Sequence, residues 1–534
     1  MIDRILFNGT IFTQDDSQPY ASALAIIRDR IVAVGGDDAI CALAGSNTTL
    51  ENLNGRAVIP GLTDAHIHWE GTARALRIAN LVGAPDKMTA VLRVAERAAT
   101  VPAGTWVLGN GWFQEEWDDR AFPAAADLDP YVAEHPVFLR ARSGHAAWVN
   151  SLALRRCGIT AGTPDPDGGQ IVRDVHGNPT GLLLENAMQL VARQIPPPTI
   201  EQIATEMLDA QRLALSRGLT GFHDYDEPSC LAALQVLRER GELALRAVKN
   251  INKAWLDAAL DSGLRWGFGD EWIRLGGLKI FADGALGPRT AAMIEPYAGE
   301  PDNTGIITTD KEEMVDLVSR ASLAGLPAAI HAIGDRAVHD VLDVYETVRR
   351  VEADHGLARE ARRHRIEHVQ LIHPDDVGRL ADLHIIASMQ PIHATSDYQM
   401  ADRYWGARCR WAYNARLQID CGAVVAFGSD SPIESFDPLL GLHAAVTRRR
   451  ADGSPGADGW YPEHRLTIQE ALWGYTLGPA YAAGLERQLG RLAPGYLADL
   501  VVLDRDLTRL AGSDLLDVQV QATMVGGVWR WSGW

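Results

Sequence analysis

Cysteine is scarce in this chain. There are five in 534 residues (Cys41, Cys157, Cys230, Cys409 and Cys421), scattered, odd in number and without a C-x-x-C pair. That excludes a disulfide framework and a thiolate metal site, and it fits a reducing compartment. No stretch reaches the ~18 consecutive apolar residues of a membrane span. The opening Met1-Ile2-Asp3-Arg4-Ile5-Leu6-Phe7-Asn8-Gly9 does not read as a signal peptide, because its apolar run is short and is broken by Asn-Gly. Positive charge is also in short supply: 50 Lys and Arg face 69 Asp and Glu, a net charge of −19. Nothing would offset phosphate repulsion, so nucleic acid and anionic membrane are poor partners. A cytoplasmic protein acting on a small molecule is expected, with the oligomeric state, homo-oligomer included, left open. No internal repeat or low-complexity tract is present.

What is present reads as a large α/β protein. Apolar residues at 47% and charged residues at 22% are ordinary globular values. Residues 1–58 are short strands and turns, with Asn8-Gly9 suggesting a hairpin between apolar pairs. The runs Ala498–Asp504 and Val518–Trp529 near the other end have the same character. From residue 218 onward, strands near 218–224, 245–251, 274–282, 327–332, 364–369, 384–390 and 423–430 alternate with helical patterns, such as Lys311–Val318 with apolar residues at i, i+3 and i+4. With the strand ending at His68, the count is eight. The expected fold class is a distorted (β/α)8 (TIM) barrel over 59–484. A large insertion at 69–215 follows its first strand, and a triple proline at 196–198 marks the way out. Loops of that kind cover the catalytic face of a barrel. The insertion carries Trp106, Trp112, Trp117 and Trp148, which suit an apolar substrate group or else simply hold a subdomain together.

The chain is organised around Ala65-His66-Ile67-His68, where an apolar run ends in two histidines one residue apart. In a strand, residues i and i+2 share a face, so both imidazoles can grip one metal ion. Partners appear at the ends of other apolar runs: His331 after Ala328-Ala329-Ile330, His368 after Arg365-Ile366-Glu367, Asp430 after Val424–Ser429, and Lys279 in Leu278–Asp283. Residues at the C-terminal ends of several barrel strands converge on one site. Four imidazoles and a carboxylate match the nitrogen and oxygen preferences of zinc.

These stretches, in this order, resemble the amidohydrolase superfamily and within it the amidohydrolase-3 (YtcJ-like) family, over nearly the whole chain. The resemblance implies that residues 1–58 and 485–534 join into one β-sandwich beside the barrel; the alternative is two independent flaps. It implies one or two divalent ions, with zinc expected. His66, His68 and Asp430 would hold one; His331 and His368 would hold the other. Lys279, carboxylated, would bridge the two, the alternative being a plain ion pair between Lys279 and Asp283. The implied reaction is hydrolysis of a carbon–nitrogen bond (amide, N-formyl, N-acyl or cyclic amide) by a metal-activated hydroxide, with Asp430 as the catalytic acid and base. An ester or lactone hydrolase with the same site, and a non-catalytic metal-binding or regulatory protein, are the competing readings.

Four residues are expected to face substrate: Trp112, His145 in Ser143–Asn150, Arg289 in Asp283–Ala291, and His393 in Gln390–Asp397. The alternatives are a structural loop histidine for His145 and a loop-pinning cation for Arg289. Asp335 would support a ligand rather than react. Pro288, where serine is frequent in the family, and Gly111-Trp112-Phe113-Gln114-Glu115 depart from the usual pattern near the substrate and leave the metal set intact. The remaining histidines, including His223 and His364, read as ordinary.

Overall fold

The computed structural model describes residues 1–533. Eight parallel strands form the central sheet: β1 (Leu62–Ile67), β2 (Leu219–Asp224), β3 (Arg246–Asn252), β4 (Ile273–Phe281), β5 (Ala328–Ala332), β6 (Arg365–His368), β7 (Ile386–Met389) and β8 (Val425–Phe427). Each pairs in parallel with the next in chain order. The seam between β8 and β1 is not a regular ladder. It is closed at the C-terminal end by Asp430 N donating to His66 O (2.7 Å) and His68 N donating to Ser431 O (2.9 Å). Asp64 stitches the same seam, with one carboxylate oxygen accepting from His66 N (3.0 Å) and Ser429 N (3.1 Å). Gly428 is required there, since a Cβ would lie 2.4 Å from His66 N. Barrel closure and site assembly are therefore the same set of contacts.

The two ends of the chain share one structure. A six-stranded sheet contains Thr10–Phe12, Tyr20–Ala21 and Ala57–Pro60 from the N-terminal part and Leu500–Leu503, Val520–Val525 and Val528–Ser532 from the C-terminal part. Leu500–Leu503 runs antiparallel to Ala57–Pro60. A four-stranded sheet of Arg4–Phe7, Ala23–Ile27, Arg30–Gly35 and Thr49–Asn52 packs on it through Leu6, Leu24 and Ile31 against Leu500, Val502 and Met524. The hairpin expected at Asn8-Gly9 is absent. Arg4–Phe7 pairs in one sheet and Thr10–Phe12 in the other, so the left-handed Asn8 (φ 58°) is where the chain changes sheet. A buried ion pair ties this sandwich to the barrel: Arg246 of β3 donates from Nε (2.6 Å) and Nη2 (2.9 Å) to the two oxygens of Asp499.

Residues Ala73–Gln202 form a second compact unit, somewhat narrower than the 69–215 expected, because the helix Ile200–Ser216 is largely part of the first unit. This second unit is built on its own six-stranded sheet, Ala79–Asn80, Val107–Trp112, Val137–Ala141, Ala146–Val149, Gly169–Arg173 and Pro179–Glu185. The helix Lys87–Ala98 packs on it, capped by the Asp86 carboxylate accepting from Thr89 N (2.6 Å). Among the described residues no helix is long and apolar enough to cross a membrane.

Candidate metal centre

The ends of β1, β5 and β6 and the turn after β8 bring His66, His68, His331, His368 and Asp430 together. His66 and His368 have ring centroids 4.8 Å apart, and His331 and His368 4.6 Å. One Asp430 oxygen lies 3.5 Å from Nε2 of both His66 and His68. His368 (φ 77°) and Asp430 (φ 59°) both sit in the left-handed region. That is costly for a non-glycine residue and typical of groups held for a function.

Each imidazole has one nitrogen tied off. His66 Nδ1–H donates to Glu367 Oε2 (2.5 Å), His68 Nδ1–H to Asp226 Oδ1 (3.0 Å) and His368 Nδ1–H to Gln390 Oε1 (2.8 Å). His331 Nε2–H donates to the Gly284 carbonyl (2.8 Å). Three rings thus present Nε2, and the fourth Nδ1, as a bare lone pair. Histidines that ligate a metal are held in this manner. His66 Nε2 is buried and has no hydrogen-bond partner, which is unfavourable unless a ligand-seeking ion occupies the cluster. Burial holds His66 and His368 well below the usual histidine range and His331 at about 3, with the Lys279 charge adding to the effect. These rings are neutral, the form a metal requires. His68 moves upward, since Asp226 outweighs its burial. The donor set fits one or two borderline divalent cations.

Lys279 is 2% exposed. Asp283 does not pair with it; the Asp283 carboxylate instead accepts backbone N–H groups of Ala292, Ile333 and Gly334 at 2.9–3.0 Å. The Lys279 ammonium lies 4.5 Å from the Tyr225 centroid and 4.7 Å from that of Phe281, and it feels the charges of Glu367 and Asp430 with no ion pair to either. Burial lowers it to about 8, and burial raises the Asp430 carboxyl to about 6.

The residues expected to face substrate fare differently. His393 joins the cluster, its Nε2 3.8 Å from Asp430 Oδ2 and its ring stacked at 6.2 Å on His368. Gln370 Nε2 lies 3.0 Å from His393 Nδ1, which leaves Nε2 facing the cluster, where His368, His393 and Asp430 are close enough to share an ion. Trp112 is fully buried in the core of the second unit. It packs on Trp117 and Trp148 at 6.2 and 6.4 Å, and its indole N–H is spent on the Leu139 carbonyl. A ring so enclosed holds the subdomain together and offers no face to a ligand. Arg289 is paired with Glu300 and lies over the Tyr404 ring at 5.4 Å, which pins its loop. His145, in the second unit, is exposed and hydrogen-bonds Glu185 at 3.0 Å. Asp335 accepts from Ile294 N (2.9 Å) and supports that loop.

Sequence reasoning passed over Glu367, Asp226, Gln390, Tyr225 and Phe281. Glu367 and Phe281 lie two residues or fewer from candidate ligands in stretches already singled out, and the strand period alone puts Phe281 on the face of Lys279. Gln390 heads the stretch singled out for His393, where its own role was not seen, and Asp226 follows its strand with no motif to mark it.

The fold and this cluster define a metal-dependent hydrolase barrel. The chain belongs to the amidohydrolase family, whose model matches residues 49–529. It is 34% identical to Protein LONG AFTER FAR-RED 3 of Arabidopsis thaliana, over 98% of this chain and 91% of that one. It is 31% identical to the N-substituted formamide deformylase of Arthrobacter pascens, over 99% and 98%. A crystal structure of an uncharacterized metal-dependent hydrolase from Pyrococcus furiosus superposes with a TM-score of 0.78 at 29% identity, covering 95% of this chain and all of that one. The protein is an enzyme of the hydrolase class that acts on carbon–nitrogen bonds.

Proposed function

We propose that the protein hydrolyses a carbon–nitrogen bond, an amide, N-formyl, N-acyl or cyclic amide, of a small molecule at the His66–Asp430 cluster. The observation that carries this is the set of four histidines, each with one nitrogen tied off and the other aimed at a shared space beside Asp430. His66, His68 and Asp430 would hold one divalent ion, with zinc the expected metal. His331 and His368 would hold a second, with Lys279 as a further ligand once its amine has added to carbon dioxide with loss of a proton. A buried lysine with no direct ion pair to a carboxylate supports that reading, and so does its lowered pKa, which leaves free amine available near neutrality. When bound, the metal supplies Lewis acidity, which acidifies a water and polarises the carbonyl under attack.

The chain's own groups do the rest. Asp430, raised to about 6 by burial, takes the proton of the attacking water and returns it to the departing nitrogen. With its proton on Nε2, His393 is available to the substrate carbonyl oxygen as negative charge grows on it. Glu367, Asp226 and Gln390 keep the imidazoles in the tautomers that bind. The deformylase relative, named for N-substituted formamides, favours amides among the substrates this site could serve.

The test joins composition to rate. Protein purified without chelator should contain one or two divalent ions per chain, and His66→Ala should lower that number. On an amide found by library screening, Asp430→Asn should reduce kcat by about 10²–10⁴-fold with a smaller change in KM. Full activity of metal-free protein, or an unchanged rate in Asp430→Asn, would refute the reading.

A further inference from the structure

Phe281 is the last residue of β4, two positions beyond Lys279 and on the same face. The residues that alternate with it, Leu278 and Ile280, are fully buried on the opposite face. Its ring centroid lies 5.1 Å from that of His331 and 4.7 Å from Lys279 Nζ. Lys279 beneath it is 2% exposed and His331 8%, yet Phe281 is 44% exposed. A single exposed aromatic on an outer surface is unremarkable. This one lies directly against Lys279 and His331 of the metal cluster, and its uncovered surface is open beside them. Other uncovered apolar side chains stand at the same end of the barrel. Ile307, 50% exposed, is bridged to Asp283. Ile433, 70% exposed, closes the turn on Asp430 with its N–H on the Asp430 carbonyl (2.9 Å).

We infer that Phe281 is a specificity-determining wall, and that the preferred substrates carry a planar apolar group, aromatic or flat alicyclic, beside the scissile carbon–nitrogen bond. This rests on the amide-hydrolase reading above and adds the substrate class to it. An aromatic face is the negative side of the ring quadrupole, so an anionic substituent is disfavoured there. A small polar one would leave the ring wet. Covering the open part of a phenyl ring is worth about 10- to 100-fold in binding.

Two matched pairs of amides test it without changing the reacting bond: N-(2-phenylethyl)formamide against N-ethylformamide, and N-ethyl-3-phenylpropanamide against N-ethylpropanamide. The first pair places the phenyl group on the nitrogen side and the second on the acyl side. The native enzyme should prefer the phenyl member of one pair by about 10- to 100-fold in kcat/KM, chiefly through KM. Phe281→Ala should abolish that preference and Phe281→Leu should retain part of it, with thermal melting as the control for folding. Equal rates within both pairs, or a preference that survives Phe281→Ala, would overturn the inference. Equilibrium dialysis of the same four amides needs no turnover. If none is cleaved, the amide reading fails. A phenyl preference in binding that Phe281→Ala removes still supports the wall, and equal binding by native and variant protein refutes it.

Discussion

Glu367 offers the most direct test of how this site is built. Its carboxylate accepts from His66 Nδ1 (2.5 Å) on one oxygen and from the Tyr225 hydroxyl (2.9 Å) on the other. It also pairs with the buried Arg365 guanidinium at 2.5 Å. Burial would raise Glu367, but Arg365, then Lys279, outweigh it and keep the group ionised. Glu367→Gln preserves the shape and removes the charge. Two effects follow. The His66 ring loses the acceptor that fixes its tautomer, and loss of such a partner typically costs 10–100-fold in metal affinity. Arg365, 5% exposed, is left without its counter-charge, and breaking a buried pair costs about 3–5 kcal/mol. Equilibrium dialysis against buffered zinc, with elemental analysis of the retained metal, reads the first effect; urea unfolding of the metal-free protein reads the second. Glu367→Asp, which keeps charge but shortens the reach, should recover part of the stability and less of the metal affinity. A Glu367→Gln protein with native zinc affinity and native stability would show that the carboxylate neither orients His66 nor balances Arg365.

Lys279→Ala should retain the barrel yet bind one ion fewer, and added acetate or propionate should partly restore the second; native metal content in the variant would remove the lysine from the metal set. An acid-sensitive network lies away from the site. There Glu352 accepts from His364 Nε2 (2.8 Å), Arg349 Nη1 (2.7 Å) and the Ser322 hydroxyl. The Ala328 N–H donates to His364 Nδ1 (2.9 Å), which keeps that ring neutral with its proton toward Glu352. Burial alone would raise Glu352, but these hydrogen bonds hold it at about 2 against an ordinary 4.5. A folded-state pKa below the unfolded one stabilises above pH 4.5 and loses that contribution as the pH falls toward 2. The contribution is fully present at neutral pH. The stability gap between native protein and Glu352→Gln should therefore narrow between pH 5 and pH 3 in urea unfolding; a gap independent of pH would contradict the assignment.

The strand-end histidines, Asp430 and Lys279 were legible in the sequence because a parallel barrel imposes two local rules, alternation along a strand and convergence at the strands' C-terminal ends. Both leave a trace in the linear pattern, since apolar runs end in polar, ligating residues. The pairing of the two chain ends in one sandwich also had a local trace, because each end is too short of core to stand alone. The supporting residues had none. Asp226 and Gln390 sit in loops whose direction is set by packing, and no spacing rule says that they meet His68 and His368. Asn8-Gly9 carries a hairpin's chemistry, yet it serves as a crossing between sheets, because the residues on either side find better partners far away in the chain. Trp112 has the composition of a binding residue and the location of a core residue, and only burial separates the two. What the sequence by itself determined was the chemistry available and the face on which it lies. Which nitrogen of each histidine is free, which lysine is left without an ion pair and which aromatic ring stays uncovered were decided by the tertiary structure, since those properties belong to pairs of residues on different strands and loops, 22 to 301 positions apart for the histidines.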